Sequence, residues 1–289
     1  MAEPCAARPI MILVLGVHRS GTSVTARALE CLGAVPSKRL HEPLPNNPRG
    51  FFEDLDVERF NEYTLLPALG SRWHDVAPCG WHRLPTGLRG EFFAAARAII
   101  RRNFDGDRPI SVLKEPRICV LLPFWLEVLE SLGYEVRTVR TVRDPLSMAR
   151  SLQARDGFSI AHAAMLYATN WITALAGSRH LRCTHVSYDA ILEDPGRALR
   201  GIAAGIGIPC PGDFERRVGI LQTEFLDPAP RHQLGRGGCG RPRVAEARGG
   251  GARPAEPSDH GRRRRRRAGR GTRRVEGHSR GRGAGAPRL

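Results

Sequence analysis

A stretch rich in glycine and hydroxyl groups, Gly16-Val-His-Arg-Ser-Gly-Thr-Ser23, has the composition of an anion cradle. Glycines let the backbone pass close to an anion, and consecutive N–H groups at a helix N-terminus supply the positive end of a dipole. The glycine spacing matches the phosphate loop G-x-x-x-x-G-K-[ST], but Thr22 stands in the lysine slot and Arg19 is the one guanidinium present. A magnesium triphosphate is a poor fit, and another anion is expected. Three further groups have chemistry of their own. Glu53 and Asp54 follow Phe51 and Phe52, and a carboxylate set beside apolar rings is suited to accept a proton. Asp54 equally suits the start of a helix, where it complements the dipole. Lys114, one of two lysines in the chain, opens Lys114-Glu-Pro-Arg117; its compact ammonium fits a single small anion better than a guanidinium does. Arg143 and Ser151 stand eight residues apart, at a strand tip and about two turns into a helix. That spacing lets one phosphate be touched from two sides.

These groups need elements that bring distant segments to one edge. Ile10 to Leu15 is an unbroken apolar run, and Val24, Ala28, Cys31 and Leu32 follow at helical spacing as far as Gly33, so the unit reads strand, loop, helix. The proline-rich passage 36–48 predicts irregular chain, followed by a helix around 57–66. Residues 63–85 read as loop, with Trp73, His74, Trp81 and His82 either lining an apolar acceptor pocket or plugging the loop onto the core. A helix ending near 103–107, a strand at 110–113, a helix stopped by Gly133 and a strand at 134–142 come next. Pro145 starts another helix, and one more covers 160–177. His185-Val-Ser-Tyr188 reads as a sheet edge, and Asp189 to Ile206 as a single helix closed by Gly207. Periodicity continues weakly to Phe225. Strands alternating with helices predict an α/β fold, a parallel sheet flanked by helices on both faces. Lys114 and Arg143 then fall at the carboxyl ends of strands, where open sheets place ligand groups.

The chain has 289 residues, 41% of them apolar, enough for an ample core. Of its formal charge of +16, +13 lies in Gly235 to Leu289, which holds 17 arginines against 4 acidic residues. An α/β domain over 1–234 and a disordered basic tail over 235–289 are expected, because the tail has too little apolar surface to offset its ordering entropy. Its R-G steps suit nonspecific binding to nucleic acid. The lack of stacking aromatics favours a shifted reading frame as the origin of this composition. Seven scattered cysteines without a C-x-x-C pair support neither a disulfide framework nor a metal site, so no metal is expected. With no signal peptide and no membrane-length apolar window, a soluble cytoplasmic protein is expected.

VLGVHRSGTS, NPRGFFED, LKEPR, TVRDPLSMARS and SYDAILEDP, in that order, resemble the sulfotransferases that use 3′-phosphoadenosine 5′-phosphosulfate (PAPS), specifically the broad bacterial group with a P-loop-like fold. The resemblance runs from Ile10 to Arg231 and fades where the tail begins. It implies transfer of a sulfuryl group to a hydroxyl or amine of a small-molecule or carbohydrate acceptor, with PAPS as donor and no metal. By this resemblance, the backbone of Arg19, Ser20, Gly21, Thr22 and Ser23 holds the 5′-phosphosulfate, with the Arg19 side chain near the bridging oxygen. Arg143 and Ser151 bind the 3′-phosphate, Tyr188 belongs to the same donor site, and Lys114 contacts the sulfuryl group. Glu53, or Asp54 beside it, is the base. Other readings are a non-catalytic protein of the same fold, a nucleic-acid binder acting through the tail, or a P-loop kinase. The last requires a lysine at position 22 and magnesium ligands, neither of which the sequence offers.

Overall fold

The computed structural model describes residues 8–43, 49–77, 80–104, 106 and 108–226. Strand β1 (Ile10–Leu15) lies inside a four-stranded parallel sheet of order β2-β1-β3-β4, formed with β2 (Ile110–Lys114), β3 (Glu135–Val142) and β4 (Arg182–Ser187). The unbroken apolar run of β1 follows from burial on both faces. Met11, Leu13 and Leu15 join Phe104, Phe124 and Trp125 on one face, while Ile12 and Val14 join Leu29, Leu199 and Ile202 on the other.

Helix α1 (Thr22–Leu29) follows β1 and runs through a 3-10 turn to Gly33. Helix α2 (Leu55–Phe60) is N-capped by Asp54; its hydrogen-bond ladder widens to a π-turn at Asn61–Leu65 before α3 (Leu66–Ala68). Then come α4 (Thr86–Phe104), α5 (Ile118–Ser131), α6 (Pro145–Asp156) and α7 (Ile160–Ser178). A third apolar cluster, around Met148, Leu152, Ala163 and Leu166, joins α6 to α7.

The expected single helix over Asp189–Ile206 is two helices, α8 (Tyr188–Glu193) and α9 (Pro195–Ile206), followed by α10 (Phe214–Ile220). Asp194 adopts an extended conformation, φ −146° and ψ 85°, and caps α9 by accepting from the Arg197 N–H. The residue before a proline is driven out of the helical region, and this breaks the helix. The passage 36–48 is irregular in its described part, with one isolated bridge from Leu40 to Asp54 and scattered backbone hydrogen bonds such as Lys38 N–H to the Asn103 carbonyl; 44–48 lie outside the described residues, as does the basic tail. No helix among the described residues is long and apolar enough to cross a membrane.

Parallel register brings the chemistry to one edge. Val14 pairs with Lys114 and with Val139, Leu15 pairs with Arg140, and Val142 pairs with Ser187. The loop after β1, the end of β2, Arg143 and Tyr188 therefore leave the sheet together. The chain goes from β1 to β2 on one side and then crosses to β3 on the other, so the loop after β1 stands where the strand order reverses, the usual ligand crevice of open sheets.

Candidate functional site

The loop after β1 is tightly built. The Ser20 hydroxyl donates to the Val17 carbonyl at 2.7 Å and lies 2.8 Å from Thr141 Oγ1, both inside the core. Gly16 has no room for a side chain, since a Cβ there would sit 2.0 Å from Thr141 Oγ1. Arg19 takes a left-handed φ of 69° and Gly21 one of 98°. Gly21 is the N-cap of α1 and brings no side chain to its first turn, so the leading N–H groups of that helix remain available to an anion.

Two guanidiniums meet over this helix end. Arg143 donates through Nη1 to the Arg19 carbonyl at 2.8 Å, and Arg19 Nε donates to Ser151 Oγ at 2.9 Å. The Arg143 guanidinium stands 4.7 Å from the centre of the Tyr188 ring, and that ring closes against Gly21. Neither arginine forms an ion pair with a carboxylate among the described residues. Burial, followed by the charges of Arg155 and Arg143, pulls the Arg19 pKa below its ordinary value. Arg19, Gly21, Thr22, Ser23, Arg143 and Tyr188 line a cavity of about 200 Å³ whose apolar wall is Val24, Leu192, Phe225 and Leu226.

A second cavity, of about 420 Å³, shares Arg19, Thr22 and Ser23 with the first. Its polar floor is an ion pair between Lys114 Nζ and Glu53 Oε1 at 2.5 Å, both side chains almost fully buried. Glu53 was expected beside apolar rings; its immediate partner is the ammonium. Asp54 is committed elsewhere: it accepts from the Val57 N–H at 2.7 Å, from Asn103 Nδ2 at 2.8 Å and from the Ser37 hydroxyl. The cavity wall also includes Glu58, Arg117, Arg155, Asp156, His41, Trp73 and His18. Arg117 is held by Glu115 at 2.5 Å and Glu62 at 2.6 Å. Glu115 in turn accepts from Asn61 Nδ2 at 2.6 Å, and Asn61 Oδ1 accepts from Trp125 Nε1 at 3.0 Å. The π-turn places Asn61 in this buried network. His18 packs edge-on to Trp73 with ring centroids 4.7 Å apart. Burial, then the charges of Arg117, Arg155, Lys114 and Arg19, hold its imidazole well below the usual pKa, so it is neutral at pH 7.

A family model described as the sulfotransferase family matches residues 9–212. The chain belongs to this family. Among solved structures, this sulfotransferase is similar to one from Mycobacterium avium (18% identity, 78% of this chain and 70% of that one, TM-score 0.49). It is also similar to the sulfotransferase domain of the Synechococcus PCC 7002 olefin synthase (18%, 79% and 88%, TM-score 0.46) and to a sulfotransferase from Mycobacterium tuberculosis H37Rv (18%, 74% and 71%, TM-score 0.44). No curated protein matches it.

In this sulfotransferase, Arg19, Gly21, Thr22, Ser23, Arg143, Ser151 and Tyr188 come together at the first cavity or its rim, Ser20 is buried beneath the loop, and Glu53 and Lys114 meet at the second. Ser20 and Ser23 use their hydroxyls to shape the loop, Ser23 Oγ donating to the Phe51 carbonyl at 3.0 Å. Of the aromatic passage, Trp73 lines the second cavity while Trp81 is buried in the core. His18, Glu58, Arg117, Arg155, Asp156 and Phe225 went unread as site residues. His18 lies within the loop motif itself, so its position was a usable signal; the others are united only by tertiary packing.

Proposed function

We propose that the chain transfers a sulfuryl group from PAPS to a hydroxyl or amine of a small-molecule or carbohydrate acceptor. The observation that carries this reading is the meeting of Arg19 and Arg143, without carboxylate partners, over the uncapped N-terminus of α1. Two cations that disfavour each other are stabilised by anions bound beside them, and a bisphosphorylated nucleotide supplies one for each. The fit is supported by Gly21, which lines the first cavity as backbone because the Tyr188 ring leaves no room for a Cβ there. On this reading the N–H groups from Arg19 to Ser23 hold the 5′-phosphosulfate, Arg143 and Ser151 hold the 3′-phosphate, and the Tyr188 ring packs beside them. When bound, PAPS supplies a sulfuryl group attached to a phosphate leaving group.

Residues shared by the two cavities set the reacting centre between them. Glu53 takes the acceptor proton at a carboxylate oxygen as the acceptor attacks from the second cavity. Lys114, its neighbour at 2.5 Å, keeps a positive charge under the transferring group, and Arg19 meets the charge left on the phosphate. This is positioning and charge stabilisation by fixed groups. The test is a thermal-shift comparison of 3′-phosphoadenosine 5′-phosphate with ADP. At 100-fold excess over Kd a ligand stabilises by about 2.7 kcal/mol, a shift of several degrees, and only the 3′-phosphorylated nucleotide should reach it. Arg143→Ala should abolish the difference; equal shifts for the two nucleotides in the unaltered protein would overturn the reading.

A further inference from the structure

Helix α7 is apolar on both sides. Its inner face, including Ala163, Leu166, Asn170 and Ala174, is buried, and α7 packs on α5 and α6. Its outer face presents Ala161, Met165, Ala168, Ile172 and Leu175, all exposed, Met165 by 56% and Ile172 by 64%. Three of the six large apolar side chains exposed among the described residues lie here, so the patch belongs to α7 rather than to the surface at large. No Asp, Glu, Lys or Arg occurs from Ile160 to Ser178. A helix that is apolar all round is ordinarily enclosed, and α7 does not qualify as a membrane span.

The outer face is complementary to itself. Its steps of four and three residues are those of a coiled-coil seam. About a two-fold axis at Ala168, an antiparallel copy sets Met165 of each chain against Ile172 of the other and Ala161 against Leu175, with the small Ala168 side chains at the crossing. A face without charge calls for a partner face without charge, which the arginine-rich C-terminal sequence does not offer and a second α7 does. We propose that two copies of this chain associate through α7, antiparallel and centred on Ala168. Two 19-residue helices, each about 28 Å long, cover about 500 Å² per copy along such a seam, short of the roughly 800 Å² of a standard interface. The dimer is therefore expected to be weak, with a micromolar Kd.

Sedimentation equilibrium of the full chain from about 2 to 200 µM, in about 0.5 M NaCl to suppress nucleic-acid binding, should show mass rising from monomer to dimer. Ile172→Glu, or the milder Ile172→Gln, should shift the midpoint at least tenfold upward with the melting temperature of the dilute protein unchanged. Ala168→Cys should oxidise to a dimer in which mass spectrometry finds position 168 linked to position 168, distinct from links through Cys183 or Cys210. A monomer at 200 µM, an unaltered midpoint in both variants, or linkage only at the native cysteines would overturn the proposal. So would a monomer that floats with phosphatidylcholine vesicles, which would assign the face to lipid.

Discussion

At the scale of single residues, Lys114 and Glu53 depend on each other, because both charges are buried and each neutralises the other. Removing one partner leaves a bare charge in a low-dielectric site, at a cost of about 3–5 kcal/mol. Lys114→Met is therefore expected to destabilise by that order in urea unfolding, and Lys114→Met combined with Glu53→Met to recover most of the loss. Glu53→Gln keeps a hydrogen-bonding side chain; it should preserve nucleotide-induced stabilisation while slowing sulfuryl transfer, read as formation of the product nucleotide in a single turnover, by about 10²–10⁴-fold, the usual worth of a positioned base. Glu115 sets a pH dependence. Burial pushes its pKa up to about 7 despite Arg117, so between about 4.5 and 7 the folded chain keeps a proton that the unfolded chain has released, and stability falls as pH rises through that window. His18 acts with the opposite sign, its depressed pKa removing stability as pH drops below about 6.5. Glu115→Gln should remove the decline contributed by Glu115, read as a smaller fall in melting temperature between pH 5 and 8.

At the scale of elements, the strand-loop-helix unit from β1 to α1 separates two uses of glycine. Gly33 has φ +83° and open space around it, so Gly33→Ala should cost only the conformational strain, about 1 kcal/mol. Gly21 has φ +98° and a Cβ there would lie 2.6 Å from Tyr188 Cδ2. Gly21→Ala should destabilise more than Gly33→Ala and also abolish nucleotide-induced stabilisation, as melting curves with and without 3′-phosphoadenosine 5′-phosphate would record. This unit was fully legible in the sequence, since an apolar run, glycine spacing and helical periodicity are all local signals. So were the strand ending in Lys114 and the strand that delivers Arg143. The break at Asp194 was misread because apolar periodicity persists across it, although Pro195 announced it. The contact between Glu53 and Lys114 was not legible at all, since 61 residues separate them and no local pattern reports which strand end a loop will cover. Asp54, left open between base and cap by its sequence context, caps α2 and accepts from three donors.

At the scale of the whole molecule, most of the net charge lies outside the described residues. The residues from Gly235 onward hold most of the net positive charge, and the described side chains at the two cavities lie between His18 and Leu226. Ending the chain after Leu234 should leave the nucleotide shift in place while removing salt-dependent RNA binding, whose affinity falls steeply with added salt when arginines neutralise phosphates; filter binding at about 50 and 200 mM salt would show it. The reversal of strand order around β1 has a consequence for synthesis. Binding groups on the first loop stay incomplete until β3 has paired on one side of β1 and Tyr188 has folded down behind β4. If the proposed donor binds here, a ribosome must deliver about two thirds of the polypeptide before the nucleotide can be gripped, and a nascent chain halted earlier would gain no protection from ligand in the surrounding medium.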